Sequence, residues 1–268
     1  MFKTATLYKF VPLNDLAELQ QQLQSICKDL TGTLLIASEG INGTIAGPPS
    51  VLEDAIMQIK AIPPFRDLEY QYSEASRKPF RRLKIRIKKE IVTMAKPEIN
   101  PTKIGGQHVL ATDWNGVLDK AAIVIDVRND YEYRVGTFEA AVNPKTTYFS
   151  EFPAFVDDHL SSYKDKPVAM FCTGGIRCEK ASSYMLSRGF KEVYQLSGGI
   201  LQYLENVPEE QAKWKGECFV FDERISLGHG LKQGSCQLCY GCRMPLTADD
   251  LDRHYKPGIQ CRYCLNKK

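Results

Sequence analysis

A buried strand, a glycine-containing loop and a helix follow one another within residues 168–181, and this order strongly restricts the possible folds. Four apolar residues, Val168–Phe171, predict a strand that is covered on both faces. Helical spacing follows the loop, with Ala181, Met185 and Leu186 on one face. Strands that lead through short loops into helices build parallel α/β sheets, whose functional loops lie at the carboxyl ends of the strands. The segment therefore predicts an α/β domain with a functional loop after this strand.

Cys172 lies at the junction between this strand and the helix. The backbone N–H groups of a helix N-terminus favour negative charge, so we expect the pKa of this thiol to fall below the ordinary value of about 8.5. Cys172 is therefore the predicted nucleophile, although a buried structural cysteine is the alternative. The residues after Cys172 are expected to curl around its sulfur, and Arg177 among them supplies a fixed positive charge. The predicted active loop comprises Thr173, Gly174, Gly175, Ile176, Arg177 and Cys178.

The size of this loop limits its chemistry. Four residues separate Cys172 from Arg177, one fewer than in cysteine-dependent phosphatases, so the ring of amides suits one extra sulfur atom better than a phosphate. The strand, the loop and the helix together resemble the active loop of a rhodanese domain, a family in which the cysteine carries a persulfide. Cys178 is either a resolving thiol that forms a disulfide with Cys172 or a small packing residue.

The whole chain has the composition of a globular protein with more than one domain. It contains 268 residues, of which 43% are hydrophobic and 25% are charged. No stretch approaches the roughly 18 apolar residues of a membrane span, and the first residues do not resemble a signal peptide. Nine cysteines without a secretory signal predict a cytoplasmic protein whose thiols are kept reduced for chemistry or metal binding.

The first 95 residues are predicted to form a ferredoxin-like domain. The pattern strand, helix, strand, strand, helix, strand is that of the split βαβ unit. Residues 40–43 are interpreted as the turn before the third strand, and Ser50 as the N-cap of the second helix. The predicted elements are Thr4–Phe10, Leu13–Leu30, Thr33–Ala37, Thr44–Ala46, Ser50–Ala61 and Leu68–Tyr72.

A basic segment, Arg77–Lys89, closes this domain. It carries eight Lys or Arg residues and no acid, and its cations alternate with apolar residues from residue 83 to 88, which predicts a strand with one apolar and one basic face. A polyanion partner is one explanation, and a solvated or lysine-protected sheet edge is the other. The candidate nucleic-acid-binding residues are Arg81, Arg82, Lys84, Arg86 and Lys88.

Residues 96–212 are predicted to form a rhodanese-like, doubly wound α/β domain, and a proline-containing linker near residues 95–107 is predicted at its start. Strands and helices alternate through this range. Asp126 and Arg128 lie at the carboxyl end of its first long strand, where open α/β sheets present functional loops. The resemblance to rhodanese domains implies that they are scaffold and loop-holding groups.

Residues 213–268 form a small, basic, cysteine-rich segment. Cys239 and Cys242 are separated by two residues, as are Cys261 and Cys264, and eighteen residues lie between the pairs. This spacing is typical of a four-cysteine zinc ribbon, with Cys236 as an alternative ligand and a reduced cysteine cluster as the other possibility. Basic residues beside three tyrosines would suit a nucleic-acid surface, and these rings are Tyr240, Tyr255 and Tyr263.

Three motifs occur in an order that is similar to one family along nearly the whole chain. Residues 39–47, the Cys172 loop and residues 216–224, followed by the cysteine-rich tail, resemble the bacterial tRNA uridine-34 hydroxylases. The resemblance implies oxygen-dependent conversion of the wobble uridine to 5-hydroxyuridine, with Cys172 as the matched catalytic residue. It also implies molecular oxygen as co-substrate and the tRNA anticodon arm as partner. The sequence has no flavin or nicotinamide fingerprint and indicates no obligate protein partner.

Two other functions remain open at this point. The first is a rhodanese-type sulfurtransferase that carries a persulfide on Cys172 and passes the sulfur to a small thiol or a protein. The second is a non-catalytic RNA-binding module with a vestigial rhodanese loop, against which the intact loop argues.

Overall fold

Two β-sheets of different types account for most of the fold. The computed structural model describes residues 1–265; residues 266–268, the end of the predicted C-terminal segment, lie outside the described residues. An N-terminal mixed sheet has five strands, and a parallel sheet in the middle of the chain has four. Among residues 1–265, no helix combines the length and the apolar character needed to cross a membrane.

The N-terminal domain confirms the predicted ferredoxin-like arrangement. Its first four strands lie in the order β4-β1-β3-β2, and a fifth strand is added beside β2. Two helices cover one face of the sheet, where Leu7, Leu23, Ile45 and Ile56 form part of the core. The elements are β1 (Phe2–Phe10), α1 (Leu16–Ile26), β2 (Thr31–Ala37), β3 (Gly40–Gly47), α2 (Pro49–Ala61), β4 (Glu69–Ala75) and β5 (Leu83–Ile87).

The predicted turn at residues 40–43 is wrong, because these residues lie within β3. The chain turns earlier, at Ser38 and Glu39. A Cβ atom at Gly43 would lie 1.9 Å from the carbonyl oxygen of Thr33, so close approach to β2 explains this glycine. Helix α2 also begins one residue before Ser50, since proline suits the first turn of a helix.

The basic segment forms the predicted strand at the edge of the sheet. Within the part of the chain that the structure describes, strand β5 pairs with β2 alone, in parallel, and Lys84 and Arg86 lie opposite Thr33 and Leu35. These cations therefore occupy the face that the two helices leave uncovered. The apolar face is incomplete, because Ile87 remains 44% exposed at the end of the strand.

The middle domain is the predicted doubly wound α/β unit. All neighbouring strands of its sheet are parallel, in the order β6-β10-β9-β7. Phe171 of β9 packs on one side with Trp114, and Met170 packs on the other with Phe152 and Met185. The elements are β6 (Gln107–Val109), α3 (Trp114–Lys120), β7 (Ile123–Asp126), α4 (Asp130–Tyr133), β8 (Gly136–Phe138), α5 (Phe152–His159), β9 (Val168–Phe171), α6 (Ile176–Ser187), β10 (Val193–Leu196) and α7 (Gly199–Asn206).

Asp126 and Arg128 form a fully buried ion pair after β7. The Nη2 of Arg128 lies 2.6 Å from Oδ2 of Asp126 and also donates to the carbonyl oxygen of Gly136. Thr137 donates its hydroxyl hydrogen to the same carboxylate. These contacts fix the loop that leads to β8, as expected for scaffold groups.

The C-terminal segment begins by extending the middle domain. Strand β11 pairs with β8, and Trp214 packs edge-to-face against Phe138 and Phe171. Ile99, within the predicted linker, also packs into a core of the middle domain. The boundaries at residues 95 and 212 therefore stay predictions. The remaining strands are β11 (Trp214–Gly216), β12 (Cys218–Phe219), β13 (Ser226–Leu227), β14 (Gln237–Leu238) and β15 (Pro245–Leu246).

Candidate active site

The Cys172 loop lies between the two sheets. It follows β9 and faces the side of the N-terminal sheet that carries no helices. A Cβ atom at Gly175, whose φ is 98°, would lie 2.8 Å from the hydroxyl oxygen of Tyr8 in β1. That hydroxyl donates to Glu179 of α6 at 3.0 Å. The site is therefore built from both domains, and glycine is required where they touch.

The environment of Cys172 favours the thiolate. Burial by itself raises the pKa of this thiol, but a hydrogen bond from the Cys178 side chain, the charge of Arg177 and backbone N–H groups at the start of α6 lower it to about 6. The Gly175 N–H also lies 3.2 Å from Sγ of Cys172. Cys178 behaves oppositely, since burial and the neighbouring sulfur raise its pKa well above the ordinary range.

Arg177 does not act as a free cation beside the sulfur, because it is paired with Glu132. Its Nη1 and Nη2 lie 2.6 and 2.9 Å from the two carboxylate oxygens of Glu132, which is fully buried, and Nη2 donates to the Thr173 hydroxyl at 3.1 Å. Burial raises the pKa of Glu132, but the charge and hydrogen bonds of Arg177 outweigh it, so the net shift is downward. Arg177 thus holds the loop in shape while its charge still acts on Cys172.

Glu132 is a site residue that the sequence analysis missed. Its Oε2 accepts a hydrogen bond from the Asn129 N–H, so the side chain also caps α4. An asparagine followed three residues later by a glutamate is a sequence signal for such a cap. The pairing with Arg177, 45 residues away, carries no comparable local signal.

The start of α7 packs against the active loop and forms hydrogen bonds with its backbone. Gly199 has a φ of 67°, and a Cβ atom there would lie 2.4 Å from the carbonyl oxygen of Cys172. The N–H groups of Ile200 and Leu201 donate to the carbonyl oxygens of Cys172 and Thr173 at 3.0 and 3.1 Å. Only glycine allows α7 to approach this closely.

A buried lysine joins α6 to the N-terminal domain. Lys180 is 1% exposed, and its Nζ lies 2.9 Å from Glu39 and 2.6 Å from Glu90. Glu39 also accepts the Ile91 N–H at 2.7 Å. Glu39 had no predicted role, and Lys180 was not predicted as a site residue because nothing in the local pattern distinguishes this lysine from a surface residue of the helix.

A cavity of about 700 Å³ opens between the domains, with Cys172 in its wall. The N-terminal sheet contributes polar side chains to it, among them Thr6, Tyr8 and Asn42. Of the candidate nucleic-acid-binding residues, Lys88 lines the cavity itself. Lys84 and Arg86 continue the same sheet face, whereas Arg81 pairs with Glu223 at 3.4 Å and Arg82 is exposed nearby.

The motif at residues 216–224 closes the far side of the cavity. Arg224 forms a buried bidentate pair with Asp222 and donates to Ser73 Oγ at 2.7 Å and to the carbonyl oxygen of Glu74. The motif is thereby fixed onto β4 of the N-terminal domain. The Phe221 side chain of this motif forms part of the cavity wall.

Four cysteines of the C-terminal segment could hold a metal ion. Their sulfur atoms all lie within 4.8 Å of one another, with Cys239 3.9 Å from Cys264 and Cys242 3.7 Å from Cys261. A tetrahedral site with metal–sulfur bonds of about 2.3 Å separates its sulfurs by about 3.8 Å. Cys236 lies outside this group, where burial raises the pKa of its thiol to about 11.

Two of the three tail tyrosines expected to bind nucleic acid are engaged within the fold. Tyr255 and Tyr263 pack against the four cysteines, and the Arg134 guanidinium lies 4.2 Å from the centre of the Tyr263 ring. Tyr240 alone is strongly exposed among the three.

Comparison with known proteins gives two family matches and many full-length relatives. The UPF0176 acylphosphatase-like domain matches residues 2–91, and the rhodanese-like domain matches residues 112–206. Proteins named tRNA uridine(34) hydroxylase are 50% identical in Bartonella quintana, 49% in Bartonella bacilliformis and 48% in Acaryochloris marina. Each alignment covers 100% of this chain and 90%, 89% and 87% of the respective relative.

The lowered pKa of Cys172 predicts selective alkylation by a small reagent such as iodoacetamide. The thiolate form is populated above pH of about 6, so its labelling rate should fall as the pH drops through that value. Peptide mapping after brief labelling at mildly acidic pH measures the rate at each cysteine. Cys27 is the internal control, because burial raises its pKa to about 12. Equal rates at the two cysteines would contradict the assignment.

Proposed function

The chain belongs to the tRNA uridine(34) hydroxylase family, and we propose that its activity depends on the Cys172 thiolate. Family membership favours hydroxylation of tRNA uridine 34 over sulfur transfer. The assignment of Cys172 rests on one observation above all. It is a cysteine with a strongly lowered pKa in the wall of a cavity formed by two domains.

A thiolate suits this substrate for a chemical reason. The uracil ring is electron-poor at C6, and a nucleophile that adds there leaves negative charge at C5, the carbon that becomes hydroxylated. We infer that the Cys172 thiolate adds to C6 and that the electron pair left at C5 bonds to one atom of O2. A two-electron donor, for which we propose a pair of cellular thiols that become a disulfide, reduces the other oxygen atom to water. Loss of the C5 proton to a base then expels the thiolate and restores the C5–C6 double bond. A thiol that is ionised near neutral pH is needed for the first step.

The substrate segment that we propose is the anticodon loop. Its bases are unpaired, so uridine 34 can turn out of the loop and enter a cavity without melting a helix. A volume of about 700 Å³ accommodates a nucleotide, and the basic face of β5 adjoins the cavity. We further propose molecular oxygen as the co-substrate, as the family resemblance implies, and a cytoplasmic location. None of the nine cysteines, all of which lie within residues 1–265, is joined in a disulfide, which supports that location.

Analysis of tRNA nucleosides tests the assignment of Cys172. In cells that lack the gene, mass spectrometry should show loss of 5-hydroxyuridine. The wild-type gene and the Cys27→Ser control should restore it, whereas Cys172→Ser should not, although the variant protein folds. Growth under heavy-isotope oxygen gas should add the label to the nucleoside. Restoration by Cys172→Ser, or loss of 2-thiouridine instead, would overturn the proposal.

The basic face of β5 is proposed to hold the phosphates of the anticodon arm. Replacing Lys84, Arg86 and Lys88 together by Gln should weaken tRNA binding and flatten its dependence on salt. The log–log slope should fall by about 0.7–0.9 for each lost phosphate contact. Binding titrations at several salt concentrations measure both quantities, and the alkylation rate of Cys172 should not change.

A second triple variant controls for the loss of charge alone. Lys103, Lys120 and Lys166 are exposed and do not line the cavity, so their replacement by Gln removes the same charge elsewhere. It should leave most of the affinity intact. If both variants bind alike, β5 is only a solvated or protected sheet edge.

We propose zinc as the ion for the four-cysteine group. Four thiolates at tetrahedral spacing suit zinc, and the segment has too small a core to fold by burial alone. The purified protein should contain about one zinc per chain, and chelation should expose residues 230–268 to proteolysis first. Cys261→Ser should lose the metal and Cys236→Ser should keep it. A metal-free protein with the parent's proteolysis pattern would contradict the proposal.

A further inference from the structure

Two large aromatic side chains in the cavity wall are exposed. Tyr148 is 67% and Phe221 is 63% exposed, and both line the same cavity as Cys172. They come from different parts of the chain, one from the segment before α5 and one from the segment after β12. Exposed apolar rings in a cavity leave surface that a ligand can cover.

The Phe221 ring is held in place by aromatic neighbours. It packs edge-to-face against Phe219 with ring centres 5.0 Å apart, and Phe219 packs in the same way against Tyr131 at 5.5 Å. The buried Asp222–Arg224 pair fixes the backbone on the other side. The ring is therefore preorganised, and little conformational entropy is lost when a ligand stacks on it.

The backbone around Tyr148 is fixed as well. Its carbonyl oxygen accepts the Glu151 N–H at 3.0 Å, and the preceding Thr147 N–H donates to the Glu151 carboxylate at 2.7 Å. The next residue, Phe149, is buried in the core and stacks on Phe152. The chain thus anchors both sides of Tyr148 while its own ring stays free at the cavity.

We propose that Tyr148 and Phe221 form a stacking site for unpaired bases of the anticodon loop beside Cys172, an inference that rests on the proposed function. Aromatic rings bind bases through their flat faces without reading sequence, and they work together with cations that hold the phosphates. Lys88 lines the same cavity, and the basic face of β5 continues from it. The rings supply the salt-independent part of binding, and the basic strand supplies the salt-dependent part.

Leucine substitutions test the two rings, since leucine keeps apolar bulk but cannot stack. Phe221→Leu and Tyr148→Leu should each weaken binding of an anticodon stem–loop RNA by about 5- to 100-fold while the salt slope stays unchanged. Phe221→Trp and Tyr148→Phe should retain the parent's affinity. Tyr70→Leu is the matched control, because Tyr70 of β4 is 37% exposed but does not line the cavity. The alkylation rate of Cys172 reports whether each variant keeps its fold.

Abasic RNAs connect each ring with its base. An RNA that lacks the base stacked on a given ring should bind the parent and that ring's leucine variant equally tightly. We expect this result for at least one of the two rings, with an RNA that lacks either the base of uridine 34 or the neighbouring base. If the leucine variants bind every RNA as tightly as the parent, or if Tyr70→Leu weakens binding equally, the inference is wrong. The proposed function would survive that result as long as the parent still forms 5-hydroxyuridine through Cys172.

Discussion

The buried ion pair between Arg177 and Glu132 determines the shape of the active loop. Both groups lie out of water, so neither charge has another partner of comparable strength, and removing one would leave the other uncompensated at a cost of about 3–5 kcal/mol. Because both terminal nitrogens of Arg177 donate hydrogen bonds to Glu132, the guanidinium is not free to bind a substrate phosphate. The sulfur of Cys172 is stabilised by the hydrogen bond from the Cys178 side chain, the charge of the arginine and the ring of backbone amides. The loop therefore stabilises a single negative charge on sulfur.

The cavity depends on both domains. The middle domain contributes the loops that follow β7 and β9, whereas Thr6, Tyr8 and Asn42 reach the cavity from the uncovered face of the N-terminal sheet. Many ferredoxin-like domains use that open face to bind ligands, but fold alone does not decide function. Here part of it is closed by the Cys172 loop, and the part that stays open leads to the basic face of β5. The Cys172 loop and the positively charged face of β5 therefore lie on adjoining surfaces.

Local patterns were enough to predict the order of elements in the N-terminal domain, the strand, loop and helix around Cys172, the basic strand and the two cysteine pairs. Each of these rests on residues that are close in sequence or on a simple period. The roles of Glu132, Lys180 and Gly43 were not predictable in this way, because each depends on a partner that only the folded chain brings near. Gly43 was assigned to a turn since glycine has the same local signature in a turn and in a close strand contact. Phe221 was not distinguishable from a core phenylalanine, because its exposure follows from how its segment docks on β4.

The cluster around Lys180 has a consequence for how such proteins can be assembled from parts. The lysine belongs to the rhodanese-like half, and its two carboxylates, Glu39 and Glu90, belong to the N-terminal half. In either domain alone, these charged side chains would lack their partners on a surface that the other domain covers. Gly175 of the rhodanese-like domain likewise leaves room for Tyr8 of the N-terminal domain. The two modules are thus not interchangeable with those of other rhodanese or ferredoxin-like proteins. A substitution at one of these contacts between the domains therefore requires a matching substitution in the other domain.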